Sequence, residues 1–226
     1  MSHLLRHPKA TILGFAMMAL LLFAAPARAQ NISCSAVSMT NVTFASVNPL
    51  SSLTTANATL SYKCSNSVGS TQSATLCFSI GEPGGGPTNP RQMKDSAGDI
   101  LQFQLFQNAN FSTVWGSSFF GSNTPLMVNI TLTSKATTSG SATMYGQVLG
   151  GQTSAIPTGT TYQDVYQNSD TALTINQQSG STAPGTCATG TVASFPFTVS
   201  ATVNKQFTVT AGTASNINLG TVPSTQ

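Results

Sequence analysis

From Ala58 onward, apolar and polar residues alternate along the chain with a period of two. Ala58, Leu60, Tyr62 and Cys64 share one parity, as do Ala74, Leu76, Phe78 and Ile80, and then Leu101, Phe103 and Leu105. Leu126, Val128, Ile130 and Leu132 point one way, and Met127, Asn129, Thr131 and Thr133 the other. Thr171, Leu173 and Ile175 form a weaker set; Phe195, Phe197, Val199, Ala201 and Val203 form the longest. Period two predicts half-buried β-strands. Segments rich in Gly, Pro and Ser separate them at 81–87, 96–98, 150–151 and 179–185, and these read as turns. The glycines at 84–86 lack the Lys-Ser/Thr and following helix of a phosphate-binding loop. Many short strands without helical periodicity predict an all-β fold, an immunoglobulin-like antiparallel β-sandwich. Antibody-type Cys-Trp-Cys spacing is missing, so a true antibody domain is not expected.

The first 29 residues follow a different pattern. Basic residues lead, an apolar run of 14 residues extends from Ile12 to Ala25, and Ala27-Arg28-Ala29 follows. That is the layout of a secretory signal peptide with its small-residue cleavage site, and the run is short for a membrane span. The mature chain is expected to begin at residue 30, and it contains no second apolar run. Its segregation changes the meaning of the formal +3 charge. Arg6, Lys9, Arg28 and both histidines, His3 and His7, lie in the signal. From residue 30 onward Lys63, Arg91, Lys94, Lys135 and Lys205 stand against Glu82, Asp95, Asp99, Asp164 and Asp170, five against five.

A neutral mature chain lacks the excess positive charge that nucleic-acid binding requires. Without histidine it lacks the usual base of Ser or Cys nucleophiles and the usual zinc ligand. No carboxylate pair is marked out for glycosidase chemistry; Asp95 and Asp99 flank a Ser-Ala-Gly turn and read as solvated charges, either of which would pair with Arg91. The chain is therefore not expected to be an enzyme, and no cofactor or metal site is expected. Four cysteines, Cys34, Cys64, Cys77 and Cys187, stand behind the signal without any CxxC spacing. An even count in an exported chain predicts two disulfides, with three connectivities open.

The tail carries a faint internal repeat. Residues 32–48 align with 207–223 at a constant offset, placing Asn41 on Asn216, Val42 on Ile217, Phe44 on Leu219 and Val47 on Val222. The expected organisation is a signal peptide at 1–29, a sandwich domain at 30–203, and the start of a truncated second copy at 204–226.

Four groups of residues together carry a family resemblance. Cys34 is followed by Phe44-Ala45-Ser46-Val47-Asn48-Pro49, and Tyr62-Lys63-Cys64 comes next. Arg91-Gln92-Met93 precedes the strand at 101–106, Asn108-Ala109 and Val114-Trp115-Gly116. Met144-Tyr145-Gly146-Gln147-Val148 precedes Pro157-Thr158-Gly159-Thr160-Thr161-Tyr162-Gln163-Asp164. In this order they resemble the spore coat protein U domain family, which includes subunits of archaic, Csu-type chaperone–usher pili. Ala45 and Val47 depart from the family's Gly and Tyr, Phe103 and Phe106 stand for tyrosines, and Thr160-Thr161 lengthens one turn. The resemblance implies a pilin-like sandwich stabilised by Cys34–Cys64, which leaves Cys77–Cys187. Trp115 is expected as a packed anchor, and Tyr145 and Tyr162 as core or turn residues.

The resemblance also implies partners: a periplasmic pilus chaperone, an outer-membrane usher and other pilin subunits. Export through the periplasm to a fimbrium at the cell surface follows, with a role in surface attachment and biofilm formation. A pilin is an incomplete sandwich completed by a strand from a partner. Because Cys34 lies so near the mature N-terminus, a bridged Cys34 leaves no N-terminal strand to donate, which is the behaviour of a tip subunit. Phe195, Phe197, Val199, Ala201 and Val203 would then supply the domain's own closing strand. Phe119 and Phe120 cannot both face one side of a strand, so one is expected to be exposed as an adhesive loop towards abiotic or host surfaces. The alternative reading is a secreted carbohydrate-binding sandwich or cell-surface coat protein, with aromatic platforms among Asn and Gln.

Overall fold

The computed structural model describes residues 30–50, 53–119, 124–152 and 161–203. Eleven strands occur among them: β1 (Ile32–Met39), β2 (Val42–Val47), β3 (Thr54–Asn66), β4 (Gln72–Ile80), β5 (Arg91–Lys94), β6 (Ile100–Phe106), β7 (Leu126–Leu132), β8 (Thr137–Val148), β9 (Thr161–Tyr166), β10 (Thr171–Ser179) and β11 (Phe197–Val203). One short 3-10 turn, Pro83–Gly85, falls in the glycine-rich segment. The fold is all-β, as the alternation predicts. The signal segment 1–29, the turn at 157–160 and the tail 204–226 lie outside the described residues.

Eight strands form one sheet in the order β1-β3-β8-β6-β5-β9-β11-β2, and three form a second in the order β10-β4-β7. All pairings are antiparallel except that of β11 with β2. The larger sheet curls until its far end packs back on its own middle. Gly146 of β8 lies beneath β2, where an added Cβ would come within 2.9 Å of the Phe44 ring and 3.0 Å of Val42 Cγ1. A side chain there would push β2 off the core, so the close approach requires glycine. Gly140 works the same way, because Tyr62 lies across its backbone.

The core fills the space between the layers with the inward residues of the predicted alternations, among them Leu60, Leu76, Phe78, Leu101, Phe103, Leu105 and Val199. Trp115 is fully buried and donates its indole N–H to the Phe78 carbonyl at 2.8 Å, which satisfies its one polar atom inside an apolar layer. Tyr162 is likewise a core residue. Tyr145 is half-buried on the outer face, where the Phe111 ring meets it edge-on.

β4 departs from the half-buried expectation, since all nine of its residues are buried. Ala74, Leu76, Phe78 and Ile80 face the core. The opposite parity, Ser73, Thr75 and Cys77, is roofed by the chain that leaves β10. Ser73 donates to the Gly180 carbonyl at 2.8 Å, Gly185 N–H donates to Thr75 Oγ1 at 2.9 Å, and Cys187 is bonded to Cys77. The polar parity is therefore buried with its hydrogen bonds made, which is the condition for burying hydroxyls at little cost. The second disulfide, Cys34–Cys64, joins the directly opposed residues of β1 and β3.

Candidate functional site

Two places in the sandwich carry chemistry: the seam along β11, and a buried cluster of ionisable side chains beside it.

β11 lies between β9 and β2. Phe197 to Thr202 pair antiparallel with Tyr166 to Thr161, while Val199, Ser200, Ala201 and Val203 pair in parallel with Val42 to Val47. The pairing continues upstream: Leu173 and Ala193 form an antiparallel bridge, with N–H···O contacts of 2.8 Å from Leu173 to Ala193 and from Val192 to Leu173. Residues 192–203 thus run along both β9 and β10. Phe195, Phe197, Val199, Ala201 and Val203 are all buried, none more than 4% exposed. Phe197 stacks on Tyr166 with ring centroids 4.4 Å apart, and Phe195 meets Phe78 edge-on. The alternation puts four apolar side chains of β11 into the core, with Phe195 just ahead of them, and β9 and β2 pair along its two edges.

Arg91 is the pivot of the neighbouring cluster. The alternation of β5 turns Arg91 and Met93 inward, and Arg91 is fully buried. Its Nε donates to Gln104 Oε1 at 3.2 Å. Nη1 donates to the Gly81 carbonyl, to Glu82 Oε2 at 2.7 Å and to Tyr166 Oη at 3.3 Å. Nη2 donates to the carbonyls of Ile80 at 3.2 Å and Trp115 at 2.9 Å. A guanidinium has five N–H donors, and these contacts occupy all of them. One side chain thereby ties together the end of β4, the loop after it, β6, Trp115 and β9.

The expected pairing of Arg91 with Asp95 or Asp99 does not occur. Arg91 points into the core, whereas Asp95 caps its own turn, accepting from the N–H groups of Ala97 and Asp99 on Oδ1, both at 2.9 Å. The partner is Glu82, from the glycine-rich turn. Burial pushes the Glu82 carboxyl up more than Arg91 draws it down. At Arg91 burial works against the charge, but Tyr166 and Glu82 outweigh it and hold the guanidinium protonated. Tyr166 donates its hydroxyl to Glu82 at 3.1 Å, and burial raises it well above an ordinary phenol. Asp164, also inward on β9, is pushed up to about 7 by burial and then by the charge of Glu82.

This cluster was not anticipated. Its signal was present in the alternation Tyr162-Asp164-Tyr166, which puts an acid at a core-facing position, and in Arg91-x-Met93, which does the same for a base.

The proposed adhesive loop is described only in part. Phe119 is 42% exposed, with its N–H donating to Ser117 Oγ at 2.9 Å; Phe120 lies outside the described residues. Among the described residues there is no cluster of three or more His, Cys, Asp or Glu able to hold a metal. No helix among them is long and apolar enough to cross a membrane.

Two of the solved structures similar to this chain are a pilin subunit and an adhesin. One is the CooA pilin subunit from enterotoxigenic Escherichia coli, 10% identical, with 78% of this chain and 100% of that chain covered and a TM-score of 0.34. The other is a mutant of the CFA/I adhesin CfaE from enterotoxigenic E. coli, 10% identical, with 76% of this chain covered and a TM-score of 0.28; the match spans about half of that adhesin, 49%. No curated protein matches the chain. The Spore Coat Protein U domain profile matches residues 20–167, which takes in β1 through β9 and leaves β10 and β11 beyond it. The match covers well over half of the sequence and takes in every strand of the curled sheet except β11, with the residues of the Arg91 cluster: the chain belongs to the Spore Coat Protein U domain family.

Proposed function

We propose that this chain is an exported structural and adhesive subunit of a chaperone–usher-type pilus, tip-like, acting in surface attachment and biofilm formation. The observation that carries the reading is the seam at β11. A sandwich whose last strand is supplied from elsewhere would expose both an unpaired edge on β9 and the apolar core beneath it. Here residues of the same chain fill that place, with β2 and β9 on either side. β1 starts at Ile32, and Cys34 is tied to β3, so the stretch between the predicted cleavage point and the first strand is too short to serve a neighbour. A subunit that completes itself and donates nothing fits the distal end of a fibre. Its partners are then a periplasmic chaperone, an outer-membrane usher and the pilin that follows it, with 204–226 opening the second, pilin-like copy.

Immunogold labelling of the cell surface tests the tip assignment: label confined to fibre ends is expected, and label along the shaft would sink it. Residues 30–203 expressed alone in the periplasm are expected to be soluble without a chaperone; insolubility would remove the closing-strand role. Surface attachment is expected to fall in a folded Phe119→Ser/Phe120→Ser variant, and unchanged attachment would remove that loop as the contact.

A second reading, a carbohydrate-binding sandwich, draws on the outer face of the larger sheet. Phe111, held at φ 54°, packs its ring edge-on against Phe106 and Tyr145 at 5.5 and 6.4 Å, and Asn57 is the cross-strand partner of Tyr145. Binding of the soluble monomer on a glycan array that is lost in Tyr145→Ala would favour it over the pilus reading.

A further inference from the structure

From residue 30 onward the chain has only ten charged side chains, yet Arg91, Glu82 and Asp164 are all buried. Charges are costly to bury unless matched, and this group is unmatched: two carboxylates share one guanidinium. The geometry shows which carboxylate has the cation. Glu82 receives Arg91 Nη1 at 2.7 Å and the Tyr166 hydroxyl at 3.1 Å. The remaining donors of Arg91 go to Gln104 and to the Gly81, Ile80 and Trp115 carbonyls. Asp164 is 8% exposed, and its Oδ2 is buried without a hydrogen-bond partner. It sits directly opposite Val199 in the β9–β11 ladder.

We propose that Asp164 is a protonation-controlled seal on the β9–β11 seam, closed when its carboxyl carries a proton and loosened when it ionises. This rests on the reading of β11 as the domain's own closing strand. The groups around Asp164 leave few other ways to hold its charge. β5 contributes Arg91, already saturated, while Lys94 is exposed and paired in register with Gln163 on the outward parity. The turn after β4 contributes Glu82, and the turn after β9 contributes Asp170, both of the same sign and both raising Asp164. β9 itself adds Tyr162 and Tyr166; a Tyr166 hydrogen bond and, behind it, the Arg91 charge draw Asp164 down, but by less than burial and Glu82 raise it. β11 and β2 bring only the apolar Phe197, Val199, Ala201, Val42 and Phe44. A proton removes a charge that burial and Glu82 penalise more than Tyr166 and Arg91 support it; without that proton, the nearest relief is water, reached by parting β9 from β11.

The sign follows from linkage. The carboxyl titrates near 7 in the closed state and near the usual value of about 4 once exposed to water. The seal is then tightest below about pH 4, weakens as pH rises through the interval, and changes no further above about pH 7. One proton released on opening raises the opening equilibrium by up to about tenfold per pH unit in that interval.

The test is hydrogen exchange of the full exported chain from pH 5 to pH 8, corrected for intrinsic exchange rates and read on peptides from 195–203 and 161–166. The wild type is expected to lose protection up to pH 7 and then level off. Asp164→Asn is expected to remove most of that slope and to be at least tenfold better protected than wild type at pH 7.5. A flat wild-type profile, or a variant that keeps the full slope, overturns the seal while leaving β11 as a closing strand. Peptide 195–203 unprotected at every pH would overturn the closing strand itself. Should Asp164→Asn fail to fold, the infrared band of a protonated carboxyl decides on the wild type. Its presence at pH 5 and loss by pH 8 is expected; its absence at pH 5 overturns the proposal.

Discussion

β11 and β7 begin from the same sequence pattern and end in opposite conditions. Each carries an apolar residue at every second position over seven. In β11 the apolar parity is sealed, with Phe197, Val199, Ala201 and Val203 all buried. In β7 the corresponding parity, Leu126, Val128 and Ile130, is only half-buried, and Leu132 alone is fully covered. The difference lies in the neighbours. β11 has a strand on both sides, β9 and β2, whereas β7, among the described residues, pairs with β4 alone and ends its sheet. A period of two therefore identifies a face that can be buried; which flank of the sandwich is covered depends on strands far away in sequence.

The largest expected effect breaks the sealed side. Val199→Asp places a second acid in the ladder opposite Asp164, inside an apolar layer with no free cation among the described residues. Burying an unpaired charge belongs to the most damaging class of substitutions, about 4–5 kcal/mol or more. Val128→Asp on β7 keeps its carboxylate within reach of water and is expected to cost about 1–2 kcal/mol. Urea unfolding of the two variants at one pH compares the flanks directly. Equal losses would mean that β7 is as well covered as β11.

The disulfides offer a second comparison. Cys77–Cys187 closes a separation of 110 residues and pins the segment that leads from β10 into β11. Cys34–Cys64 closes a separation of 30 within one strand pair. Chain entropy alone gives about 4–5 kcal/mol for the longer loop and about 3–4 for the shorter. Replacing Cys77 and Cys187 by Ala should therefore lower stability more, and should selectively expose β11 to exchange. If the Cys34/Cys64 double variant loosened β11 more, the pinning role of Cys187 would be wrong.

Arg91 marks the same asymmetry from inside the core. It holds Tyr166, whose ring stacks on Phe197 of β11. Arg91→Met leaves Glu82 buried with its charge uncompensated, a loss of about 3–5 kcal/mol. Adding Glu82→Gln removes the stranded charge and is expected to recover much of that loss in a thermal or urea melt. A double variant no better than the single would assign the role of Arg91 to its carbonyl contacts instead.

The sequence made the strands legible where one parity is apolar and the other polar, as in β3, β6 and β11. It also made Trp115 legible as an anchor, because a lone Trp beside a glycine among short strands has few other places to pack. β4 was harder. Ser73, Thr75 and Ser79 read as a solvent face, yet the segment after β10 folds over Ser73 and Thr75 while Ser118 meets Ser79, and hydroxyls do not reveal whether their partners are water or protein. The Arg91 cluster was hidden for a related reason. Asp95 and Asp99 are nearer in sequence, and sequence distance favoured them, but the inward parity of β5 carries the guanidinium across the core to Glu82 and Tyr166. Strand parity, applied to charged residues as strictly as to apolar ones, points to Arg91, Asp164 and Tyr166 together.

The smallest effect on stability is the most direct probe of the open flank. Met127 is exposed on the outward parity of β7, and the strand contains no charge and no proline. Edge strands of soluble proteins usually carry such features, which discourage pairing with another chain. Met127→Lys buries nothing and breaks no hydrogen bond, so unfolding should shift by less than about 0.5 kcal/mol. If the uncovered edge of β7 associates in solution, the same substitution should reduce concentration-dependent light scattering at constant stability, whereas Val165→Lys, on a strand with neighbours on both sides, should not. Equal scattering by the wild type and both variants would show that β7, although open in its pairing, is not a sticky edge. The contrast between the two flanks would then be one of packing alone.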